Sequence, residues 1–209
     1  PDVLSVGEWS SRIAWHENLG AGNFGPQQLI SDELLRPEGV HIADLDADGD
    51  LDLLSASVTM VAVHENLGGG VFGAAKEISA GAFSYTSVYA SDLDGDGDED
   101  ALAGVQAYDQ AATFVWYAND GTGGFGAQLE IPSLSAWPVD IHASDLDGDG
   151  DPDLLTAAGI IARYENLGGG SFAPLEQLAG GPFGARDLET SDLDGDGDAD
   201  VLSASWDDD

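Results

Sequence analysis

The hydrophobic and polar positions of this chain alternate in short runs and do not follow a helical period. Apolar stretches of four to eight residues, rich in Val, Ile, Leu and aromatic side chains, are separated by Gly, Asn, Asp and Ser. LDLLSAS at 51–57 and IARYENL at 161–167 are typical examples. A spacing of three to four residues between apolar positions persists nowhere for more than about one turn. The pattern therefore predicts an all-β fold of short strands joined by tight turns.

An acidic sequence of seven residues recurs in each repeat of this pattern. DLDGDGD occurs at 92–98, 145–151 and 192–198, and the close variant DLDADGD occurs at 44–50. Consecutive copies start 48, 53 and 47 residues apart. Four apolar runs fall within each unit of this length. This organisation predicts a β-propeller-type repeat of four-stranded blades.

The register of the runs divides the chain into the blades of a single repeat array spanning 1–209. We expect about four blades' worth of chain, with complete blades at 40–79, 87–131 and 140–178 and partial blades at 1–31 and 187–206. ADVLSAS at 199–205 duplicates PDVLSV at 1–6, so the last strands do not simply complete the first blade. Three alternatives remain open: a part of a larger ring, a ring formed by oligomerisation, and a closed four-bladed ring with the last strand displaced.

The charge of the chain narrows the range of its partners. It has 40 acidic and 5 basic residues and a formal net charge of −35, while 43% hydrophobic residues provide material for a core. Nucleic acids and anionic membrane surfaces are bound through Lys and Arg, so neither is an expected partner. The chain has no Cys and no apolar run long enough for membrane insertion as a helix. Metal cations are the partners that this charge favours.

The acidic sequence places carboxylates at alternate positions of a tight loop. Aspartates occupy positions 1, 3, 5, 7 and 9 of every copy, and the Gly at position 6 permits a sharp turn. Such hard oxygen ligands suit Ca²⁺, which takes six to eight of them, better than Mg²⁺ or softer metals. The alternative of merely solvated turns does not account for four copies with one spacing. The candidate metal ligands are Asp44, Asp46, Asp48, Asp50, Asp52, Asp92, Asp94, Asp96, Asp98, Asp100, Asp145, Asp147, Asp149, Asp151, Asp153, Asp192, Asp194, Asp196, Asp198 and Asp200.

The loop begins like an EF-hand but does not continue like one. An EF-hand requires Glu at position 12 and a helix on each side. Position 12 here holds Ser55, Ala103, Thr156 or Ser203, and the flanking runs are strands. We therefore expect the Asp at position 9 to supply the ligand that follows position 7.

Together these motifs resemble the FG-GAP/VCBS repeat of integrin α-chain heads and of many bacterial extracellular proteins. D-x-D-x-D-G-x-x-D lies between two short strands, and an E-N-L-G-G-G turn and an aromatic–Gly pair follow. The pair occurs three times, as Phe24-Gly25, Phe72-Gly73 and Phe125-Gly126. The fourth copy departs from this motif and has Phe172-Ala173. The resemblance covers essentially the whole chain.

The resemblance implies a calcium-binding β-propeller whose acidic loops join the first and second strands of each blade. It implies about four Ca²⁺ ions, each held by the side chains at positions 1, 3, 5 and 9 of one loop. The carbonyl groups at position 7 are the further implied ligands, from Asp50, Asp98, Asp151 and Asp198. The same likeness implies an extracellular or cell-surface location.

No catalytic constellation stands out from the repeats. His16 and His64 align with tyrosines of the other repeats, and His41 and His142 align with Tyr89 and a glutamate. These alignments predict packing and not metal ligation or catalysis. The motifs G-x-S-x-G, H-E-x-x-H and the P-loop are absent from the sequence. We therefore expect a protein that is not an enzyme.

The five tryptophans divide into two groups. Trp15 and Trp116 lie in apolar runs and are expected in the core. Trp9 and Trp206 lie in matching turns, and Trp137 lies in an irregular insertion at 132–140. An exposed indole in such a place can stack on a sugar ring or anchor a protein partner, although a packed turn residue is an equal alternative.

These observations favour a calcium-stabilised extracellular module for binding or adhesion. Carbohydrate or protein is the expected ligand, contacted through the loops between blades, where repeats vary most. One alternative is a structural scaffold that self-associates through open blade edges and has no small ligand. The other alternative is a non-catalytic accessory domain of a secreted enzyme.

Overall fold

The computed structural model describes residues 1–81, 84–106, 113–131, 138–180 and 185–205. The regular secondary structure within these ranges consists of β-strands alone. The same ranges contain no helix that could cross a membrane. The prediction of an all-β fold is thus confirmed.

The strands form five sheets and one small hairpin. Sheet 1 contains β1 (Val3–Gly7), β2 (Arg12–His16) and β5 (Gln28–Ser31). The small hairpin of β3 (Asn18–Gly20) and β4 (Asn23–Phe24) lies between β2 and β5 in the chain. Sheet 2 contains β6 (Pro37–Ala43), β7 (Asp52–Ser57), β8 (Met60–His64) and β9 (Lys76–Ala80). Sheet 3 contains β10 (Ser84–Ser91), β11 (Asp100–Gln106), β12 (Thr113–Tyr117) and β13 (Leu129–Ile131). Sheet 4 contains β14 (Asp140–Ser144), β15 (Asp153–Ala157), β16 (Ile160–Tyr164) and β17 (Glu176–Gly180), and sheet 5 contains β18 (Ala185–Ser191) and β19 (Asp200–Ser205).

Each sheet is an antiparallel meander, and its strands pair in chain order. Sheets 2 to 4 cover 37–80, 84–131 and 140–180, so sheets 2 and 3 begin three residues earlier than the sequence pattern indicates. A register shift after Pro37 and another after Tyr85 let β6 and β10 pair beyond the expected start. Such bulges are not visible in an alternation of apolar and polar residues.

The acidic loop has the same place in sheets 2 to 5, between the first and second strands. The Asp at position 9 is the first residue of the second strand and lies opposite the last residue of the first strand. Asp52 pairs with Ala43 and Asp100 with Ser91, and sheets 4 and 5 repeat this register. A register shift of one residue would move every side chain to the opposite face of the sheet. Because the register is shared, each loop lies at the same edge of its sheet.

Apolar side chains pack between neighbouring sheets. The second strands β7, β11 and β15 are buried along nearly their whole length. Leu54 of sheet 2 shares a cluster with Val88 and Val115 of sheet 3, and Leu102 shares the next with Leu154 of sheet 4. Burial of one such side chain stabilises the fold by roughly 1.5–3 kcal/mol. Each sheet is therefore stabilised largely by its neighbours, as in other repeat proteins.

The first strands β6, β10, β14 and β18 lie side by side in succession. Gly39 of β6 approaches β10 so closely that an added Cβ would lie 3.2 Å from the Ser87 Cα. The rings of His41, Tyr89 and His142 contact one another in tilted arrangements across three of these strands, with centroid distances of 4.2 and 4.6 Å. The sheets are thus arranged as blades along a common line of first strands. Within the described ranges sheets 1 and 5 are not hydrogen-bonded to each other, and ring closure is not detected.

Candidate metal centres

The Asp at position 1 holds each acidic loop closed through backbone hydrogen bonds. In sheet 3 the Gly95 N–H donates to Asp92 Oδ1 at 2.8 Å and the Gly97 N–H donates to Asp92 Oδ2 at 3.0 Å. The loops at Asp145 and Asp192 repeat both bonds. The Gly at position 6 has φ between 93° and 99° in the four loops, which a residue with a side chain adopts with strain. The glycines therefore fix the turn that gathers the carboxylates.

Carboxylates from each loop converge within a small volume. In every loop, oxygen atoms of three aspartates lie within 4.8 Å of one another. Positions 1, 3 and 5 meet in the first three loops, and positions 1, 3 and 9 meet in the fourth. The converging residues are Asp44, Asp46 and Asp48, then Asp92, Asp94 and Asp96, then Asp145, Asp147 and Asp149, and finally Asp192, Asp194 and Asp200.

The first loop shows what the closed geometry leaves available for a ligand. Position 4 is Ala47 there, with φ of 59°, where the other loops have Gly. Asp44 Oδ2 accepts the Gly49 N–H at 3.1 Å, but Asp44 Oδ1 is buried without a hydrogen-bond partner. A buried carboxylate oxygen without a donor is unfavourable unless something else neutralises it. Its position beside Asp46 and Asp48 fits a cation.

Electrostatics within the loops are unfavourable without a counter-ion. Partial burial raises the pKa of Asp46, and the neighbouring Asp48 carboxylate raises it further. Partial burial likewise raises the pKa of Asp94, with Asp96 as the neighbouring charge. Each cluster offers only oxygen donors, the ligand type that Ca²⁺ prefers. The residues present therefore fit a hard divalent cation.

The Asp at position 9 has a structural role that the sequence does not reveal. Asp100 is fully buried and accepts the Leu93 N–H at 3.0 Å and the Asn119 N–H at 2.8 Å. Burial raises the pKa of Asp100 to about 6, and the two N–H donors oppose this rise. Asp52 and Asp153 make the corresponding pairs of bonds. Position 9 thus ties the acidic loop to the turn after the third strand.

The Asp at position 7 lies next to the glycine-rich turn of the same sheet. A Cβ added at Gly68 would lie 3.5 Å from Asp50 Oδ2, and one added at Gly168 would lie 3.3 Å from Asp151 Oδ2. At Gly121 the distance to Asp98 Oδ2 would be 2.4 Å. These side chains therefore lie outside the three-carboxylate clusters. Metal ligation by the carbonyl groups at position 7, including that of Asp198, stays a prediction.

A second, longer-range bond joins the loops of sheets 2 and 3 to the next sheet. Asn119 Nδ2 of sheet 3 donates to the Leu45 carbonyl in the loop of sheet 2 at 2.8 Å. Asn166 Nδ2 of sheet 4 donates to the Leu93 carbonyl in the loop of sheet 3 at 2.9 Å. The sequence indicates these asparagines only as turn residues. In the structure they clamp neighbouring blades together at the candidate metal centres.

The third loop differs from the others because it contains a guanidinium group. Arg163 Nε donates to Asp153 Oδ2 at 3.0 Å, and its Nη2 forms ion pairs with Asp153 and Asp147. The registers of the sheets place Val63 and Trp116 at the position of Arg163. No sequence motif distinguishes this arginine, so the sequence analysis missed it.

The described histidines and tryptophans contribute no ligand to the acidic clusters. Within the described residues, no histidine belongs to a group that could hold a metal ion. Burial lowers the pKa of His41 to about 4, and the charge of His142, on the far side of Tyr89, contributes to this decrease. The Trp116 ring packs so closely on Gly170 that an added Cβ would lie 2.5 Å from its Cζ2. Trp9 is 85% exposed. The predictions for Trp137 and Trp206 fall outside the described residues.

The sheets and their acidic loops define a β-propeller-type repeat protein. A family model for the FG-GAP-like repeat matches residues 1–55, 44–103 and 102–156. These matches cover more than half of the chain, which therefore belongs to the FG-GAP-like repeat family. The resemblance inferred from the motifs is confirmed. Sheet 5 and most of sheet 4 lie beyond the matched residues but keep the same strand order.

Two solved structures share the fold at low sequence identity. An Agrocybe aegerita lectin, described as recognising non-reducing terminal N-acetylglucosamine, has a TM-score of 0.62 and 20% identity over 97% of this chain. The match covers 60% of the lectin chain, so this protein spans about three fifths of its length. The Tc holotoxin pore of Photorhabdus luminescens has a TM-score of 0.50 and 20% identity, covering 95% of this chain and 10% of its own. A comparison with curated proteins finds no match.

Proposed function

We propose that the protein is a calcium-stabilised, extracellular, non-enzymatic module that binds carbohydrate or protein. The observation that carries the calcium part of the proposal is the convergence of three carboxylates in each of the four loops. A chain with a net charge of −35 gains stability when divalent cations neutralise such clusters. Calcium bound in the loops would also hold the first and second strands of each blade in register.

Each loop would hold the ion through the same set of groups. Positions 1, 3 and 5 would supply side-chain oxygens, the position 7 carbonyl would supply another, and position 9 would contribute the oxygen lone pairs that its N–H bonds leave. About four ions would be taken up per chain. At a free calcium concentration of about 100 times the dissociation constant, each site would add roughly 2.7 kcal/mol of stability.

The calcium proposal predicts a large effect of chelation. We expect EDTA to lower the melting temperature by many degrees, and added CaCl₂ to restore it. Asp96→Asn should weaken calcium binding at one site about tenfold, which calorimetric titration would measure. Asp32→Asn is the matched control, because it removes the same charge from an exposed residue outside the loops. An EDTA-treated protein that melts at the calcium-loaded temperature would contradict the proposal.

The binding role is supported by the fold and by the exposed surface. The fold resembles that of a lectin, and the indole of Trp9 is almost entirely exposed. Exposed indoles commonly stack on sugar rings or anchor protein partners. A glycan array probed with the calcium-loaded protein tests the carbohydrate part of the proposal.

Self-assembly is the second candidate function, and an exposed leucine supports it. Leu45 and Leu93, at position 2 of their loops, are each 1% exposed beneath the turn of the next sheet. Leu193 at the same position in sheet 5 is 63% exposed. This edge could pair with another repeat, in this protein or in a second copy. Calcium-dependent oligomers in light scattering, together with an empty glycan array, would favour assembly over ligand binding.

A further inference from the structure

A polar cavity lies at the opposite end of the first strands from the acidic loops. Its volume is about 480 Å³, which is within the range of small-ligand sites. The lining groups lie at the end of β1, before or at the start of β6, β10, β14 and β18, and at the end of β11. Sheets 1, 2, 3, 4 and 5 all contribute, with Glu8, Arg36, Glu38, Thr86, Gln106, Val139 and Arg186 among the lining residues.

The charge of this cavity differs from that of the rest of the molecule. Only 5 residues of the chain are Lys or Arg, and two of them, Arg36 and Arg186, line the cavity. Two carboxylates, from Glu8 and Glu38, balance them. The lining is therefore neutral in a protein whose formal net charge is −35. Two guanidinium groups as hydrogen-bond donors and two carboxylates as acceptors thus line one cavity.

Arg36 is held at the cavity by Glu8 and lies against the Trp9 ring. Arg36 Nε donates to Glu8 Oε1 at 3.1 Å, and the guanidinium lies 5.1 Å from the centroid of the Trp9 ring. Arg36 adopts φ of 48°, a strained conformation for a residue with a side chain. Burial raises the pKa of Glu38, and the nearby Arg36 guanidinium opposes this rise. The cavity is thus shaped by fixed polar groups next to an exposed aromatic ring.

We propose that this cavity binds a neutral saccharide. Guanidinium, carboxylate, hydroxyl and amide groups can pair with vicinal hydroxyl groups, each of which both donates and accepts hydrogen bonds. Anions are disfavoured by the two glutamates and by the charge of the whole protein, and cations are disfavoured by the two arginines. The adjacent indole of Trp9 offers an apolar face for a sugar ring. This assignment rests on the proposed binding function and gives it a location.

An array of immobilised neutral glycans, followed by calorimetric titration with the strongest binder, tests the assignment. Arg186→Gln and Gln106→Ala should each weaken binding at least tenfold, because each removes hydrogen-bonding groups from the cavity. Lys76→Gln is the matched control, because it removes one positive charge from an outer strand. The control should bind as the wild type does. Thermal melts of all variants check that the fold is retained.

The results of these titrations distinguish failure of the cavity assignment from failure of the proposed carbohydrate-binding function. Neutral glycan binding that is equal in the wild type and both cavity variants would overturn the cavity assignment and leave a saccharide-binding role elsewhere on the molecule. Binding of none of the neutral glycans by the wild type would overturn both the assignment and the carbohydrate part of the proposed function. Variant-sensitive binding of only anionic or cationic glycans would overturn the ligand class. Loss confined to the two cavity variants would support the assignment.

Discussion

Arg163 gives the third acidic loop a positive charge of its own. Its guanidinium contacts the buried Asp153 and the cluster residue Asp147, both of which are candidate calcium ligands. In the other complete sheets the same position holds Val63 or Trp116, which cannot neutralise a carboxylate. A metal ion entering the third loop must therefore compete with the arginine for carboxylate oxygens, whereas the other loops offer theirs without such competition.

Replacing Arg163 should change the third site in two ways. Arg163→Val should strengthen calcium binding at one site about tenfold, which corresponds to ~1.4 kcal/mol. It should also lower the melting temperature of the metal-free protein, since a buried carboxylate loses its partner. Competition with a chromophoric chelator measures the first effect, and a melt in EDTA measures the second.

Arg12→Val is the control for Arg163→Val, because it removes the same charge from an exposed position on β2. It should leave the site affinities nearly unchanged. Equal changes in calcium affinity in the two variants would show that only the net charge matters and would contradict the specific role of Arg163.

The acidic loop and the asparagine turn act as one element that spans two sheets. The Asn166 side chain is 1% exposed and donates to the Leu93 carbonyl of the preceding sheet and to the Pro152 carbonyl of its own sheet. Asn66 has the same place in sheet 2, and its side chain donates to the Leu51 carbonyl within its own sheet. A comparison of these two asparagines therefore isolates the bond between sheets.

Asn166→Ala should destabilise the protein by about 0.5–1.5 kcal/mol more than Asn66→Ala does, because it removes the buried hydrogen bond between the sheets and leaves the Leu93 carbonyl with the Gly170 N–H as its remaining donor. Urea denaturation in saturating calcium would measure both free energies of unfolding. Similar losses in the two variants would mean that the bond to Leu93 contributes nothing beyond the local turn.

The sequence predicts the components of this element better than their connections. Alternating apolar residues and turn glycines predict the strands, and the spacing of Asp44, Asp46 and Asp48 predicts their convergence, because all these signals are local. Asn119 and Leu45 are 74 residues apart, and their pairing depends on how two sheets pack. The role of Asp100 as an acceptor for two N–H groups was missed for the same reason, since one partner comes from a distant turn.

The molecule as a whole combines local order with strong self-repulsion. Cores between adjacent sheets favour the stacked array, while 40 acidic residues against 5 basic ones oppose any compact state. The acidic loops concentrate much of this charge at one edge of successive sheets. Cations bound there would act where the repulsion is greatest, and diffuse counter-ions would act on the remaining surface.

This balance predicts a salt dependence that calcium removes in part. In EDTA, raising NaCl from about 0.02 to 0.5 M should raise the melting temperature steeply, since the screening length falls below 10 Å above about 0.1 M. In saturating CaCl₂ the same series should be flatter, because one bound ion offsets two of the negative charges of each loop. MgCl₂ at equal ionic strength is the control and should flatten the series less, since Mg²⁺ gives up its water reluctantly. Parallel salt series in EDTA and in calcium would mean that the loops hold no specific ion and that the charge is only screened.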